Sequence, residues 1–357
     1  MSGLDDVIAA ETSLSEVDGL NGRLVICGHN LDALAGHCSY EAVLALLLAE
    51  LSGAGAADIR AALGLARQRA FAEIAHLDAG IAALSLTEGL RALMARLPDG
   101  EDPDIVFLLA AAPAVFVPAL IRRRAGSAPI APDPAASHAA DMLAMLKGRA
   151  PDPAEATALD TYLVTVSDHG LNASTFAARV VASTRAGYTS AVLAALGALK
   201  GPLHGGAPGP VLDMLDAVAS PGGAAPWLAA ELARGERLMG FGHRIYRVRD
   251  PRADALKAAL AGLDAAGFGN PRRLALAEAV EREALALLRA AKPGRVLETN
   301  VEFFTALLLE ALGFPRDAFT GVFAAGRVGG WLAHAHEQVA RGRLIRPQSR
   351  YIGPKAA

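Results

Sequence analysis

From Ile105 to Ile121 the chain is apolar throughout, and Arg122-Arg123-Arg124 follows at once. A segment like this has to leave water, either by crossing a membrane or by lying inside a globular core. It is short for a membrane span, and Pro113 and Pro118 interrupt it. Each proline removes a backbone donor and bends the helix that carries it. The expectation is therefore a buried, kinked core helix in a soluble chain without membrane association. With 357 residues, 53% of them hydrophobic, there is ample material for such a core, and the length suggests two domains.

Around that run the pattern is helical. Ser39 is a suitable N-cap for Tyr40 to Leu51, and Asp152-Pro153 supplies a cap and a first-turn proline for Ala154 to Val166. Ser174 to Tyr188 and Thr189 to Leu199 are rich in small residues, which lets neighbouring helices approach closely. Ala253 to Leu263, Arg272 to Ala290, Val301 to Leu312 and Phe319 to Arg341 continue the pattern. Strand signals are scarce. Val17 to Ile26, with turn chemistry between short apolar pieces, reads as a small hairpin. Strands do not alternate with helices, which disfavours a Rossmann or barrel fold and points to an all-α chain. Glycine and proline cluster at Gly201 to Pro210, Ser220 to Pro226 and Phe268 to Pro271 without cutting the chain into independent halves.

Charge and composition bear on the partners. A formal net charge of -3 gives no electrostatic case for nucleic acid, and 5% aromatic residues give no support to base stacking. Cys27 and Cys38 make no disulfide framework and match no metal knuckle, so they are expected to be buried thiols in a reducing, cytoplasmic compartment. Met1-Ser2-Gly3-Leu4-Asp5-Asp6 has neither the basic nor the apolar region of a secretory signal.

Three histidines stand in short contexts bearing glycine or asparagine: Ser167-Asp168-His169-Gly170-Leu171-Asn172, Gly201-Pro202-Leu203-His204-Gly205-Gly206 and Gly240-Phe241-Gly242-His243-Arg244. Glycine has no Cβ, so an imidazole beside it is expected where backbone and ligand approach closely. Downstream lie Asp250-Pro251-Arg252, Asn300-Val301-Glu302-Phe303, Gly326-Arg327 and Arg346-Pro347. Imidazoles, a carboxylate and guanidiniums together are what proton transfer on a polyanionic organic acid requires. Arg327 stands out because it sits in an otherwise apolar helix, where an unpaired guanidinium is costly. It requires a carboxylate partner, from the protein or from a ligand. The separations of His169, His204 and His243 match no local metal signature, so no metal is expected. Walker, dinucleotide and Gly-x-Ser-x-Gly patterns do not occur. His29, His37, His76, His138, His334 and His336 read as structural residues, and Arg341, Arg343 and Arg350 as a solvated basic stretch.

With these residues in view, the chain resembles the citrate synthase family over essentially its whole length, from Ala10-Glu11-Thr12 to Tyr351-Ile352-Gly353-Pro354. The resemblance rests on Asp168 to Thr175, on Gly197 to Ala207, and on Gly240 to Arg247 with Asp250-Pro251-Arg252, long motifs in the family's order. It implies a nearly all-α, multihelical fold, assembled as a homodimer, whose large domain carries a smaller one that closes over substrate. On the family pattern residues 1–203 and 308–357 form the large domain, and residues 204–307 the small one. Closure keeps an enolate-like intermediate and a thioester from bulk water.

The resemblance also implies condensation of acetyl-CoA with oxaloacetate and water to citrate and CoA, as in the tricarboxylic acid cycle. Acetyl-CoA is then a co-substrate, and no cofactor is permanently bound. His204 would hydrogen-bond the thioester carbonyl, Glu302 would take a proton from the acetyl methyl group, and His243 would polarise the ketone of oxaloacetate. His169, Arg252 and Arg327 would hold the two carboxylates, with the partner subunit's Arg346 reaching in. Arg247 resembles a contact to a coenzyme A phosphate. Two positions depart from the family pattern. The base is most often aspartate, and the extra methylene of Glu302 moves its oxygen by ~1 Å, a displacement large enough to matter for rate. Histidine is common where Val166 stands. A 2-methylcitrate synthase using propionyl-CoA is a near alternative, because one methylene in an apolar pocket gives only ~1–3 kcal/mol of discrimination. A non-catalytic homologue that binds oxaloacetate or an acyl-CoA is the other. The extra N-terminal β region of longer, hexameric members inhibited by NADH has no counterpart, so a dimer without that control is expected.

Overall fold

The computed structural model describes residues 7–205, 208–218, 220–243 and 245–354. The signal reading at Met1 to Asp6, and the motif residues Gly206, Ala207 and Arg244, lie outside them. Helices carry nearly all the regular structure: seventeen α-helices among the described residues, with one antiparallel sheet in the order β1 (Ser15–Asp18), β2 (Arg23–Ile26), β3 (His29–Asn30). The chain is all-α in class, and the expected hairpin gains a third short strand.

The apolar run is the Pro103–Arg124 helix. Asp102 caps it, accepting from Ile105 N at 3.1 Å, and Pro103 takes a first-turn position where its missing N–H costs nothing. The helix runs unbroken through Pro113 and Pro118, and from Ile105 to Leu120 every residue except Phe107 is buried. Length and composition alone would let it cross a membrane, yet 83% of its most apolar window is buried inside this chain. It is a core helix.

The Phe319–Arg341 helix packs against Pro103–Arg124, Pro153–Val166, Ala173–Ala182 and Tyr188–Leu199. Its contact with Pro153–Val166 is closer than side chains allow. A Cβ on Gly326 would lie 2.5 Å from Val166 Cγ2, and one on Gly330 would lie 2.3 Å from the Ser167 carbonyl oxygen. Positions four apart share a helix face, so the two glycines seat one helix on the end of the other and on the loop that follows. The Pro251–Ala265 helix packs against both Pro153–Val166 and Val301–Ala311, which brings the remaining site segments to the same place.

Boundaries agree with the sequence where the cap is local. Phe319–Arg341 begins and ends as expected, and Asp152 caps Pro153–Val166 in a reciprocal box with Glu155. Ser39 caps the helix at Tyr40, but that helix ends at Leu47, and Ala49–Ser52 is a separate turn after Leu48 leaves helical geometry. The stretch expected to be helical from Ser174 to Tyr188 stops at Ala182. The next helix, Tyr188–Leu199, is capped by Asp99, whose carboxylate accepts from Thr189 N at 2.9 Å and Ser190 N at 3.1 Å. The backbone reaches that cap through Gly187 at φ +97, a conformation glycine adopts without penalty. Cys27 and Cys38 are free but only half-buried, at the edge of the core rather than inside it as expected.

Gly330→Ala is expected to destabilise the protein by about 1–3 kcal/mol, because the atom in the way is a backbone oxygen that cannot rotate aside. Chemical denaturation measures this. An unchanged midpoint would show that the helix is not seated on the 167–169 loop as tightly as described.

Candidate active site

Five of the six central residues stand at helix ends. His169 lies between Pro153–Val166 and Ala173–Ala182, His204 follows Tyr188–Leu199, and His243 precedes Pro251–Ala265. Arg252 opens that last helix, and Glu302 opens Val301–Ala311. Their neighbours are the caps: Asn172 accepts from Ser174 N and Thr175 N, Asp250 from Arg252 N, and Asn300 from Glu302 N. Arg327 alone projects from mid-helix, in Phe319–Arg341. The 240–243 segment is tied to the Glu302 helix through Gly242 N to the Glu298 carbonyl at 2.7 Å and Asn300 Nδ2 to the Gly242 carbonyl at 2.8 Å. The β1–β2 turn grips the following loop, where Arg247 N donates to the Gly19 carbonyl at 2.7 Å.

The glycines beside His243 do not serve a ligand in the way the sequence suggested. Gly240 and Gly242 hold φ of +85 and +84, and a Cβ on them would meet Phe303 at 2.7 Å and Leu297 at 2.9 Å. The space they leave is filled by the protein itself.

His243 has a defined proton. Its Nδ1 accepts the backbone N–H of Ile245 at 3.0 Å and of Tyr246 at 3.1 Å, which puts the proton of the neutral ring on Nε2. Arg252 Nη2 stands 3.2 Å from that Nε2. Both atoms are donors, so they do not bond each other and instead share a direction in which an acceptor oxygen would satisfy both. Arg252 is held there by Asp250, Nε to Oδ1 at 3.0 Å and Nη2 to Oδ2 at 2.8 Å. Burial, then the charge of Arg252, pushes His243 down to about 4, so the ring is neutral at pH 7.

His204 is also kept neutral, at about 4, by burial and then by Arg327 and Arg252. Its Nε2 lies 2.8 Å from Ser174 Oγ, which accepts from Trp331 Nε1 at 3.1 Å and donates to Asn172 Oδ1 at 2.7 Å. His169, buried and facing Arg252 and Arg327, is held well below the ordinary histidine range. Its ring lies 5.7 Å from that of His243, centroid to centroid.

Two opposite charges in this site lack protein partners. Arg327 is 1% exposed; its Nε donates to the Val166 carbonyl and its guanidinium stacks on Phe323 at 4.8 Å, but Nη2 is buried with nothing to bond. No carboxylate of the described residues bonds Arg327, so the partner expected from sequence does not come from among them. Burial lowers its pKa to about 10. Glu302 is half-buried, with Oε2 shielded and likewise unpartnered. Burial raises its carboxyl to about 7 against the pull of Arg252. The Tyr162 hydroxyl, close enough to feel Glu302 and Arg327, is a third buried polar group without a partner.

The structure therefore gathers His169, His204, His243, Arg252, Glu302 and Arg327. Arg247 is exposed at its edge, and Arg346 is exposed on the extended segment after the last helix, bonded to none of them. Ser174, Trp331, Tyr162 and Tyr246 take part without having been singled out; Ser174 and Tyr246 lay inside motifs already quoted, whereas the other two carry no local signal. Among the described residues no group of three His, Cys, Asp or Glu side chains is arranged to hold a metal ion.

Fold and site together define a helical protein whose buried imidazoles and guanidiniums surround one unpartnered carboxylate oxygen of Glu302. The fold is shared with citrate synthase from Thermoplasma acidophilum, solved as a ternary complex with carboxymethyl coenzyme A and oxaloacetate: TM-score 0.87, 27% identity, covering 99% of this chain and 96% of that one. Residues 3–348 match the family model described as citrate synthase, C-terminal domain, and the chain belongs to the citrate synthase family. It is 38% identical to the citrate synthase of Haloferax volcanii over 375 residues, covering 99% of this chain and 96% of that protein. It is 34% identical to a 2-methylcitrate synthase of Mycobacterium tuberculosis over 377 residues, covering 98% and 90%.

A carboxyl whose pKa is raised on folding stabilises the protein below its unfolded value and loses that contribution as pH rises through the folded one. The substrate-free protein should thus lose stability relative to Glu302→Gln between pH 4.5 and about 7. Thermal midpoints across that range test it, and parallel profiles would mean that the carboxyl ionises as it does in water.

Proposed function

We propose that the protein condenses an acyl-CoA thioester with oxaloacetate, acetyl-CoA giving citrate, as a cytoplasmic homodimer in which residues 204–307 close over residues 1–203 and 308–357. The observation that carries this reading is the pair of buried, unpartnered groups, Glu302 Oε2 and Arg327 Nη2, in one site. A substrate pair that brings an acidic C–H and a carboxylate supplies what each lacks.

Ionised Glu302 removes a proton from the carbon next to the thioester carbonyl, and His204 faces the oxygen on which charge develops. Ser174, 2.8 Å from His204 Nε2, anchors the ring beside that oxygen. The enol carbon then attacks the ketone of oxaloacetate, polarised by His243 Nε2–H. Arg252, Arg327, His169 and the partner subunit's Arg346 hold the two carboxylates, and Arg247 meets a coenzyme A phosphate. Water finally cleaves the citryl thioester and releases CoA. Two neutral imidazoles and a base near pH 7 are compatible with this sequence of steps at physiological pH. Propionyl-CoA, giving 2-methylcitrate, is the second reading, favoured by the similarity to a 2-methylcitrate synthase.

Release of CoA thiol is expected only when oxaloacetate is present. Glu302→Gln should lower it at least ~100-fold, the scale of a positioned base. The rate should climb with pH around about 7 as Glu302 ionises, with no descending limb from His204 or His243 above pH 5. The ratio of acetyl- to propionyl-CoA turnover names the product. Folded protein that binds oxaloacetate but releases no thiol from either acyl-CoA would refute the catalytic reading and leave a binding homologue.

A further inference from the structure

Tyr246 lies in the loop between His243 and Arg252 and is 2% exposed. Its hydroxyl is 3.2 Å from His169 Nε2. Its ring centroid is 4.7 Å from that of His243 and 5.6 Å from that of His169, and the Arg252 guanidinium carbon stands 5.8 Å over it. One side chain therefore touches three of the groups assigned above to oxaloacetate. Its backbone N–H already acts in the site, because it is one of the two donors that keep the proton of His243 on Nε2.

We propose that Tyr246 is a positioning residue for oxaloacetate, whose hydroxyl donates to His169 Nε2 and so leaves the single imidazole proton on Nδ1 for a substrate carboxylate. Counting donors and acceptors selects this direction. His169 is neutral, so its ring has one donor and one acceptor. Among the described residues the Tyr246 hydroxyl has no hydrogen-bond partner other than His169 Nε2. If Nε2 carried the proton, the phenol proton would be buried without an acceptor, which is costly. With the phenol as donor, the free valence is instead an imidazole N–H, which a carboxylate satisfies. The charge of Arg252, larger here than the opposing one of Asp250, reinforces this by drawing the phenol oxygen's lone pairs and turning its proton toward the uncharged ring. Through its amide and its hydroxyl, one tyrosine thus sets the proton position on two histidines from different parts of the chain.

The role in binding rests on the proposed function; the tautomer does not. Nitrogen-15 NMR of histidine-labelled, full-length protein without substrate should show His169 as the Nδ1–H form, and Tyr246→Phe should convert or mix it. An Nε2–H form in the unsubstituted protein overturns the inference whatever the activity. In the steady state Tyr246→Phe, which keeps the ring, should raise the oxaloacetate KM by about tenfold and leave the acetyl-CoA KM within about twofold. Calorimetry should show the same loss of oxaloacetate affinity. A variant with unchanged oxaloacetate KM, or with both KM values raised alike, overturns the positioning role while the condensing activity stands. Failure of the unsubstituted protein to bind oxaloacetate overturns the role and the functional reading together.

Discussion

A guanidinium shut inside the protein with only part of its bonding satisfied is the constraint on which the site depends. Arg327 has one backbone acceptor and one aromatic face, and neither neutralises its charge. Leaving a charge buried and unpaired is strongly unfavourable, so the surroundings have to accommodate it. They do so by suppressing other positive charge: with burial, the field of Arg327 and Arg252 keeps His204 and His169 uncharged. Neither nearby aspartate bonds the guanidinium. Asp250 is spent on Arg252, and Asp168 accepts from Ser15, Gly170 and His334. What remains is an unpartnered guanidinium nitrogen among neutral imidazoles, for which a carboxylate is the natural complement.

Glu302 shows the same competition from the acid side. It stands in the first turn of a helix, where the peptide dipoles favour its ionised form, and Arg252 and Arg327 pull the same way. Burial, with the negative charge of Asp250, outweighs all three. For the base role proposed above, a value near 7 combines enough proton affinity to attack a weakly acidic C–H with availability at working pH. The shift arises from where the helix starts, which Asn300 fixes by capping it, and from the glycine-dependent loop that lies against Phe303.

The sequence made this site legible where the relevant contacts are local. Asn172, Asp250 and Asn300 each cap a helix within two or three residues, so the motifs that contain them already encode where Ser174, Arg252 and Glu302 stand. Arg327 was conspicuous because an apolar helix does not tolerate a charge without reason. Other features were hidden because they arise between distant segments. Asp99 caps a helix that begins nearly ninety residues later, and Trp331 donates to Ser174 across two helices. The glycines around His243 were visible, but their purpose was not, since nothing local says that Phe303 and Leu297 occupy the space beside them.

Val166 shows how a departure from a family pattern is to be weighed. A histidine is common at this position, and its loss suggests a missing hydrogen bond. The bond that matters to Arg327 at this residue, however, comes from the carbonyl, which every amino acid supplies. The valine side chain instead packs against the bare Cα of Gly326, and it is fully buried there. A larger polar ring would have to find both space and a partner in that contact. The substitution therefore exchanges a polar side chain for close helix packing while leaving the guanidinium's anchor untouched, and the pocket's charge is set by Arg327 and Arg252 rather than by the residue at 166.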